Sequence, residues 1–177
     1  VDANKNSYVI GNTYSTDFTI TPGLINNTHS GNYDVILAKF DSCGVLIWST
    51  YFGSSNFDSG EKIALTNDGN LVFTGYTSGV TTPTTAGCFQ AQNNGGYDCF
   101  ITKITTNGSL IWSTYFGKSG GDFAFDIKVD AYDNIIIGGT TTSTNLYTTA
   151  ASFQPIQKGN TDAFIARFNK LGQLKWC

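Results

Sequence analysis

The sequence has no methionine and a single histidine, His29. Its four cysteines form no C-x-x-C pair, so the ligand spacing of a zinc site is missing. Charge is scarce: ten Lys and Arg against thirteen Asp and Glu give a net charge of −3. Ten scattered cations do not make the basic patch that phosphate binding requires, which argues against nucleic acid as a partner. No apolar run approaches the ~20 residues of a membrane span. Signal peptide and initiating methionine are both missing, so the sequence is expected to be a mature product or a piece of something longer. Helix formers never fall at helical spacing over a useful length.

What is abundant is Gly, Thr, Asn, Tyr and Phe. Short runs rich in Val, Ile, Thr and aromatics lie between Gly, Asn and Asp clusters, the pattern of an all-β chain. The stretch IWSTYFG occurs at 47–53 and again, unchanged, at 111–117. Trp48, Trp112 and Trp176 stand 64 residues apart, and so do Gly11, Gly75 and Gly139. Asp34, Asp98 and Asp162 keep the interval, as do Lys39, Lys103 and Arg167. An unbroken register of this kind is a tandem array of one structural unit, present here in about 2.8 copies.

Each unit reads as four strands. In the middle copy these are 61–66, 71–77, 98–104 and 109–116, with NDGN and TTNG as turns. VILAKF at 35–40 and AFIARF at 163–168 are apolar on both faces. A sheet apolar on both faces must be covered on both sides, and like sheets stacked around an axis achieve this: a β-propeller. The fold expected is therefore an all-β propeller segment of about three four-stranded antiparallel blades, at 1–60, 61–123 and 124–177. The pattern DNIIIGGTTTS…TTAASFQ…GNTDAFIARFNKLGQLKW, from 133 to 176, resembles the SBBP-type propeller repeat, a relative of the NHL repeat. The other two copies follow it over essentially the whole chain, except that the first has TPGLINN in the linker. The resemblance implies that the strand before NDGN is innermost and that IWSTYFG is the outer edge. Three blades do not close a ring, since propellers have about 4–8, so the outer faces are expected to be covered by remaining blades of the same propeller or by a second copy.

Several features could carry chemistry. The segments 78–97 and 142–161 are long for connections and are expected to emerge at one rim, where a binding surface would form. TTAGCFQ and TTAASFQ suggest a short helical turn capped by Thr, with Phe89 and Phe153 tucked against the blade. Phe89, Gln90, Asn94, Phe153 and Gln154 are the binding candidates on this rim. The three tryptophans, with Tyr51 and Tyr115, fit the filling of wedge gaps between blades better than a sugar-stacking platform. DANKN at 2–6 has the opening spacing of a calcium loop, but TNDGN and DAYDN break it, so a turn is preferred and no metal is expected. Repeated charges read as structural: Asp34, Asp98 and Asp162 ordering turns, Lys39, Lys103 and Arg167 reaching solvent. A site built once would use residues that break the repeat. On the inner strands these are Glu61 and Asp126, candidates to line the central channel as an acid/base pair. Cys88 and Cys99 could be bonded if their Cα atoms lie within about 7 Å. Cys43 and Cys177 read as free thiols, and His29 as a solvated side chain. Sequons at Asn26-Asn27-Thr28 and Asn107-Gly108-Ser109 are attributed to chance.

The expectation is a scaffold or binding module without catalytic residues or cofactor, for protein or glycan partners. SBBP-like repeats resemble parts of large bacterial surface and secreted proteins, which implies an extracellular or cell-surface location. The alternative is part of a polysaccharide lyase or hydrolase with its site in the channel.

Overall fold

A computed structural model describes residues 1–177 apart from Asn27 and Ala151. Its strands form three antiparallel sheets. The first holds β1 (Ser7–Thr13), β2 (Asp34–Phe40) and β3 (Leu46–Phe52) in that order. The second holds β4 (Asp58–Leu65), β5 (Leu71–Thr77), β6 (Asp98–Ile104) and β7 (Leu110–Phe116), again in chain order. The third repeats this with β8 (Asp122–Val129), β9 (Ile135–Thr141), β10 (Asp162–Phe168) and β11 (Leu174–Trp176). β4 lies against β8 and against β1, so the inner strands gather on one side and the sheets fan outward as propeller blades.

Side chains alternate across each sheet, and the 64-residue period decides which core each joins. From the middle sheet, Leu71, Phe73, Phe100 and Ile104 pack with Val35, Leu37, Trp48 and Phe52 of the first. Its Val72, Cys99, Ile101 and Phe116 pack with Ile135, Ile137, Phe164 and Phe168 of the third. Position by position, the two cores are the same interface built twice. Both faces of the middle sheet are dry, which is why its third strand is buried along its whole length.

The inner strands begin earlier than the sequence pattern indicates. β4 starts at Asp58 and β8 at Asp122, so the expected blade limits at 60/61 and 123/124 cut into them. Each strand has a bulge, between Gly60 and Lys62 and between Ala124 and Asp126. The extra residue at Glu61 or Phe125 breaks the two-residue alternation, which hides the residues before it. The recurring glycine is explained by the same strands. A Cβ at Gly75 or Gly139 would overlap the backbone oxygen of Ser59 or Phe123, whereas Gly11, with no strand on its inner side, has nothing within 4 Å.

The tryptophans fasten neighbouring sheets. Trp48 Nε1 donates to Thr106 O of the second sheet at 3.0 Å, and Trp112 Nε1 donates to Lys170 O of the third at 3.1 Å. The recurrent cations do not reach solvent as expected. Lys103 is buried and pairs with Asp68 at 2.6 Å, Arg167 pairs with Asp130 at 3.1 Å, and Lys39 donates to Thr106 O at 3.2 Å. A buried ammonium needs such a partner, because burial alone disfavours its charge.

Candidate functional site

The long loops leave the sheets at one rim but do not stay there. Segment 78–97 turns outward and runs along the free edge of β7. Thr85 N donates to Ser113 O at 3.2 Å, and Tyr115 N donates to Gln90 O at 3.0 Å. Segment 14–33 does the same on β3, with Thr21 N to Ser49 O at 2.9 Å and Tyr51 N to Asn26 O at 3.3 Å. The loops thus blunt the outer edges, which would otherwise offer unpaired backbone groups for aggregation. The buried tyrosines anchor them: Tyr51 donates its hydroxyl to Ser15 O at 2.9 Å and Tyr115 to Gly79 O at 3.0 Å. The expected helical turn is a β-turn, closed by Cys88 N to Thr85 O at 3.2 Å with Gly87 left-handed at φ 75°. TTAASFQ includes Ala151, outside the described residues, but Ser152 N donates to Thr149 O at the equivalent place.

This course removes most of the rim candidates from the rim. Phe89 packs in the seam between second and third sheets against Tyr147 at 4.8 Å and Phe168 at 5.9 Å. Gln90 is buried, donates to Asp98 Oδ2 at 2.6 Å and accepts from Gly117 N at 3.0 Å. Asn94 is exposed, and its backbone N–H donates to Asp98 Oδ2 at 2.9 Å. Gln154 donates to Asp162 Oδ2 at 2.7 Å. Phe153, expected against the blade like Phe89, is 104% exposed. The reason is the neighbour: Phe89 rests on residues one repeat further on, and among the described residues no sheet follows the third.

What the rim does hold is an aromatic cluster. Tyr14 and Tyr33 approach to 4.4 Å, Tyr33 and Phe57 stack at 4.7 Å, and Tyr76 meets Phe123 edge-on at 4.9 Å. Tyr97 lies 5.4 Å from Phe123 and Phe57 lies 6.1 Å from Tyr97, which joins the set into one band across all three sheets. Phe123 and Phe125 are parallel at 6.4 Å. Tyr14 and Phe125 open to solvent, at 70% and 48% exposure. Backbone bonds hold the band where loop meets inner strand: Asp58 N to Tyr33 O at 2.8 Å, Asp122 N to Tyr97 O at 2.6 Å. Burial, then the neighbouring phenols and Glu61, push the Tyr33 phenol above its ordinary range.

Sequence reasoning passed over this band, although its signal was present. Tyr14, Phe57, Tyr76, Phe123 and Phe125 all break the repeat. The other copies have Ser78 and Thr142, Gly121, Asn12 and Thr140, Ser59, and Glu61 at those positions. Glu61 and Asp126 are ionisable repeat-breakers, whereas these five are aromatic.

Glu61 and Asp126, the candidate acid/base pair, each bond within their own strand. Glu61 accepts from Ser59 Oγ at 2.8 Å on its own strand. Asp126 pairs with Lys128 at 3.2 Å, and hydrogen bonds from Lys128 and Ile127 N hold its carboxyl below the usual range against slight burial. The DANKN turn spends its carboxylate internally: Asp2 accepts from Asn4 N, Asn6 N, Asn6 Nδ2 and Tyr8 OH, each at 2.9 Å. Those bonds, led by the Asn6 side chain, lower Asp2 to about 2. Cys88 and Cys99 are free thiols, and Cys99 belongs to the inter-sheet core. His29 is half-buried rather than solvated, edge-on to Tyr51 at 5.5 Å. The first sequon includes Asn27, outside the described residues.

A concavity of about 520 Å³ lies between segment 142–161 and the outer face of the third sheet, lined by Leu146, Tyr147, Phe153, Phe164, Ile165 and Trp176. Its counterpart one repeat earlier is filled by the third sheet itself.

No family model matches the chain. Among curated proteins it is similar to an uncharacterized WD repeat-containing protein of Acanthamoeba polyphaga mimivirus, 26% identical over 125 residues. That match takes in 66% of this chain and 9% of the viral protein, so the chain spans a small part of the relative it matches. WD repeats are four-stranded propeller blades, in agreement with the sheets described above: the chain has the architecture of a β-propeller scaffold.

Proposed function

We propose that the chain is a non-catalytic binding section of a larger β-propeller of the SBBP type, displayed outside the cell, whose rim engages protein or glycan partners. The observation that carries the binding reading is the aromatic band. Five of its rings stand where the repeat has small or polar residues, so blade geometry alone does not demand them. Aromatic faces with phenolic hydroxyls at their edge suit both the C–H faces of sugar rings and apolar side chains of a protein. Glu61 and Asp126, each satisfied within its own strand, support a binding role over hydrolysis or elimination.

The test is retention of the chain on immobilised neutral polysaccharides and, separately, cross-linking to surface proteins of the source cell. Tyr14→Ala with Phe125→Ala should abolish one of these while the circular dichroism spectrum is unchanged. If the double variant behaves as the parent in both arms, the band is packing only.

A second reading concerns the third sheet. Its outer face supports coverage by a further blade, because Ile165 is 59% exposed while Ile101, its counterpart, is fully buried. Fusing one more repeat to Cys177 should remove this exposure and raise the urea midpoint.

A further inference from the structure

Two pairs of carboxylates lie between the sheets and have no role in the binding reading. Asp34 at the start of β2 approaches Asp58 at the start of β4, and one repeat later Asp98 of β6 approaches Asp122 of β8. All four are fully buried. A Cβ added at Gly53 would stand 3.0 Å from Asp58 Oδ2 and 3.1 Å from Asp34 Oδ1. At Gly117 it would overlap Asp98 Oδ1 and come within 2.9 Å of Asp122 Oδ2. The two acids of each pair therefore converge over one glycine, which leaves them the space.

The donors are unequally shared. Asp58 receives Ser54 N and Ser54 Oγ at 2.7 and 2.8 Å and Thr82 Oγ1 at 3.2 Å. Asp122 receives Lys118 N and Ser143 Oγ, both at 2.7 Å, and Thr141 Oγ1. Asp34 takes Ser30 N at 2.7 Å on Oδ2, and Asp98 takes Gln90 Nε2 and Asn94 N at 2.6 and 2.9 Å on Oδ2. Asp34 Oδ1 and Asp98 Oδ1 are buried without a partner. The same atom is orphaned in both copies, on the side facing the second acid. A fully ionised pair there would combine like-charge repulsion with an unsatisfied buried oxygen, each of which is costly. A metal ion would want several more oxygens, and among the described residues no third acidic, His or Cys side chain joins either pair.

We propose that each pair binds one proton, held on Oδ1 of Asp34 or Asp98 and directed at the facing carboxylate, so that the sheet-to-sheet seams are tightest in mild acid and loosen toward neutral pH. One proton satisfies the orphaned atom and removes the repulsion. Burial first, and then the Asp122 charge, push Asp98 up to about 6. Burial and the Asp58 charge also raise Asp34. The other ionisable groups facing the pairs are Lys118 and His29, which pull Asp98 and Asp34 down, and Tyr115, Cys99 and Cys177, which are neutral in this range.

The third copy is an internal control. Asp162 is half-buried, its Oδ2 takes Lys158 N and Gln154 Nε2, and among the described residues no second carboxylate faces it. Infrared spectroscopy of the chain near pH 5 should show a protonated carboxylic acid band that fades toward about pH 7. Asp34→Asn with Asp98→Asn should remove it and Asp162→Asn should leave it. The urea midpoint of the parent should fall between about pH 4 and pH 7, and that of the double variant should stay flat. A band that disappears by about pH 4, as for ordinary carboxyls, overturns the proposal. So does stabilisation by calcium or potassium chloride that the double variant loses, since a cation would then occupy the gap. If the double variant does not fold, the infrared titration of the parent decides alone.

Discussion

Ile101 and Ile165 are one residue type at one repeat position on the third strand of consecutive sheets, and they differ in what lies beyond them. Ile101 is sealed between second and third sheets, whereas Ile165 is 59% exposed. Replacing Ile101 by Ala removes buried methyl groups and leaves a cavity that flanking strands only partly collapse into, a loss of about 2–5 kcal/mol. At Ile165 no cavity forms, and under half of the side chain is removed from water. Full burial of such a side chain contributes about 1.5–3 kcal/mol, so the loss there is about 1 kcal/mol or less. Urea unfolding followed by tryptophan fluorescence measures both values. If one more repeat is fused after Cys177, the cost at Ile165 should rise to match that at Ile101. Equal costs in the unextended chain, or no rise on extension, would refute the idea that each sheet depends on its successor. The exposed counterparts on the first sheet, with Val9 at 47% against a buried Phe73, lead to the same expectation at the other end of the stack.

Other outcomes follow from the same contacts. Gly75→Ala and Gly139→Ala should be severely destabilising, because the new Cβ overlaps the inner strand's backbone, while Gly11→Ala should be tolerated; thermal melts of the three variants compare them directly. Trp112→Phe keeps a ring in the seam but removes the bond to Lys170 O, a loss of about 0.5–1.5 kcal/mol by urea titration. Asp68 is held at about 2 through the bonds from Lys103, Thr66 and Asn70, which outweigh slight burial. Its stabilisation is present above 3.8, the unfolded value, and is lost as pH falls through about 2. Because Asp68 is 40% exposed, solvent screening reduces that contribution to about 1 kcal/mol, read as the difference in acid unfolding between the parent and Asp68→Asn. Without a cover for Ile165 and Phe153, the chain alone should self-associate; sedimentation showing a monodisperse monomer would count against this.

The fold was legible because periodicity reports packing directly. Three of four strands in the middle unit were placed to within a residue, since each is bounded by a turn that declares itself: NDGN before β5, TTNG before β7, and Asp98 at the mouth of β6. The pattern starts the inner strand late because a bulge shifts its alternation at Glu61, and local pattern cannot distinguish a bulge from a strand end. The loops depart from expectation for a different reason. Their length implied a rim surface, but the destination of Gln90 and Thr85 depends on the unpaired edge of β7, a partner more than twenty residues away. Residue type alone sends Lys103 and Arg167 to solvent, but the acids that neutralise them, Asp68 and Asp130, belong to turns of the same sheets.

The rim band and the buried acids show how one repeat encodes two different kinds of information. Asp34, Asp58, Asp98 and Asp122 obey the 64-residue interval, and what they do is done twice, at each seam. Tyr14, Phe57, Tyr76, Phe123 and Phe125 violate it, and what they form exists once, spread over three sheets. A residue required by stacking must recur wherever two sheets meet, because the geometry it serves recurs. A surface for one partner is under no such constraint and is concentrated where recurrence fails. Departures from the repeat, of any residue type and not only the ionisable ones, are therefore the places on a tandem fold where recognition should be sought first.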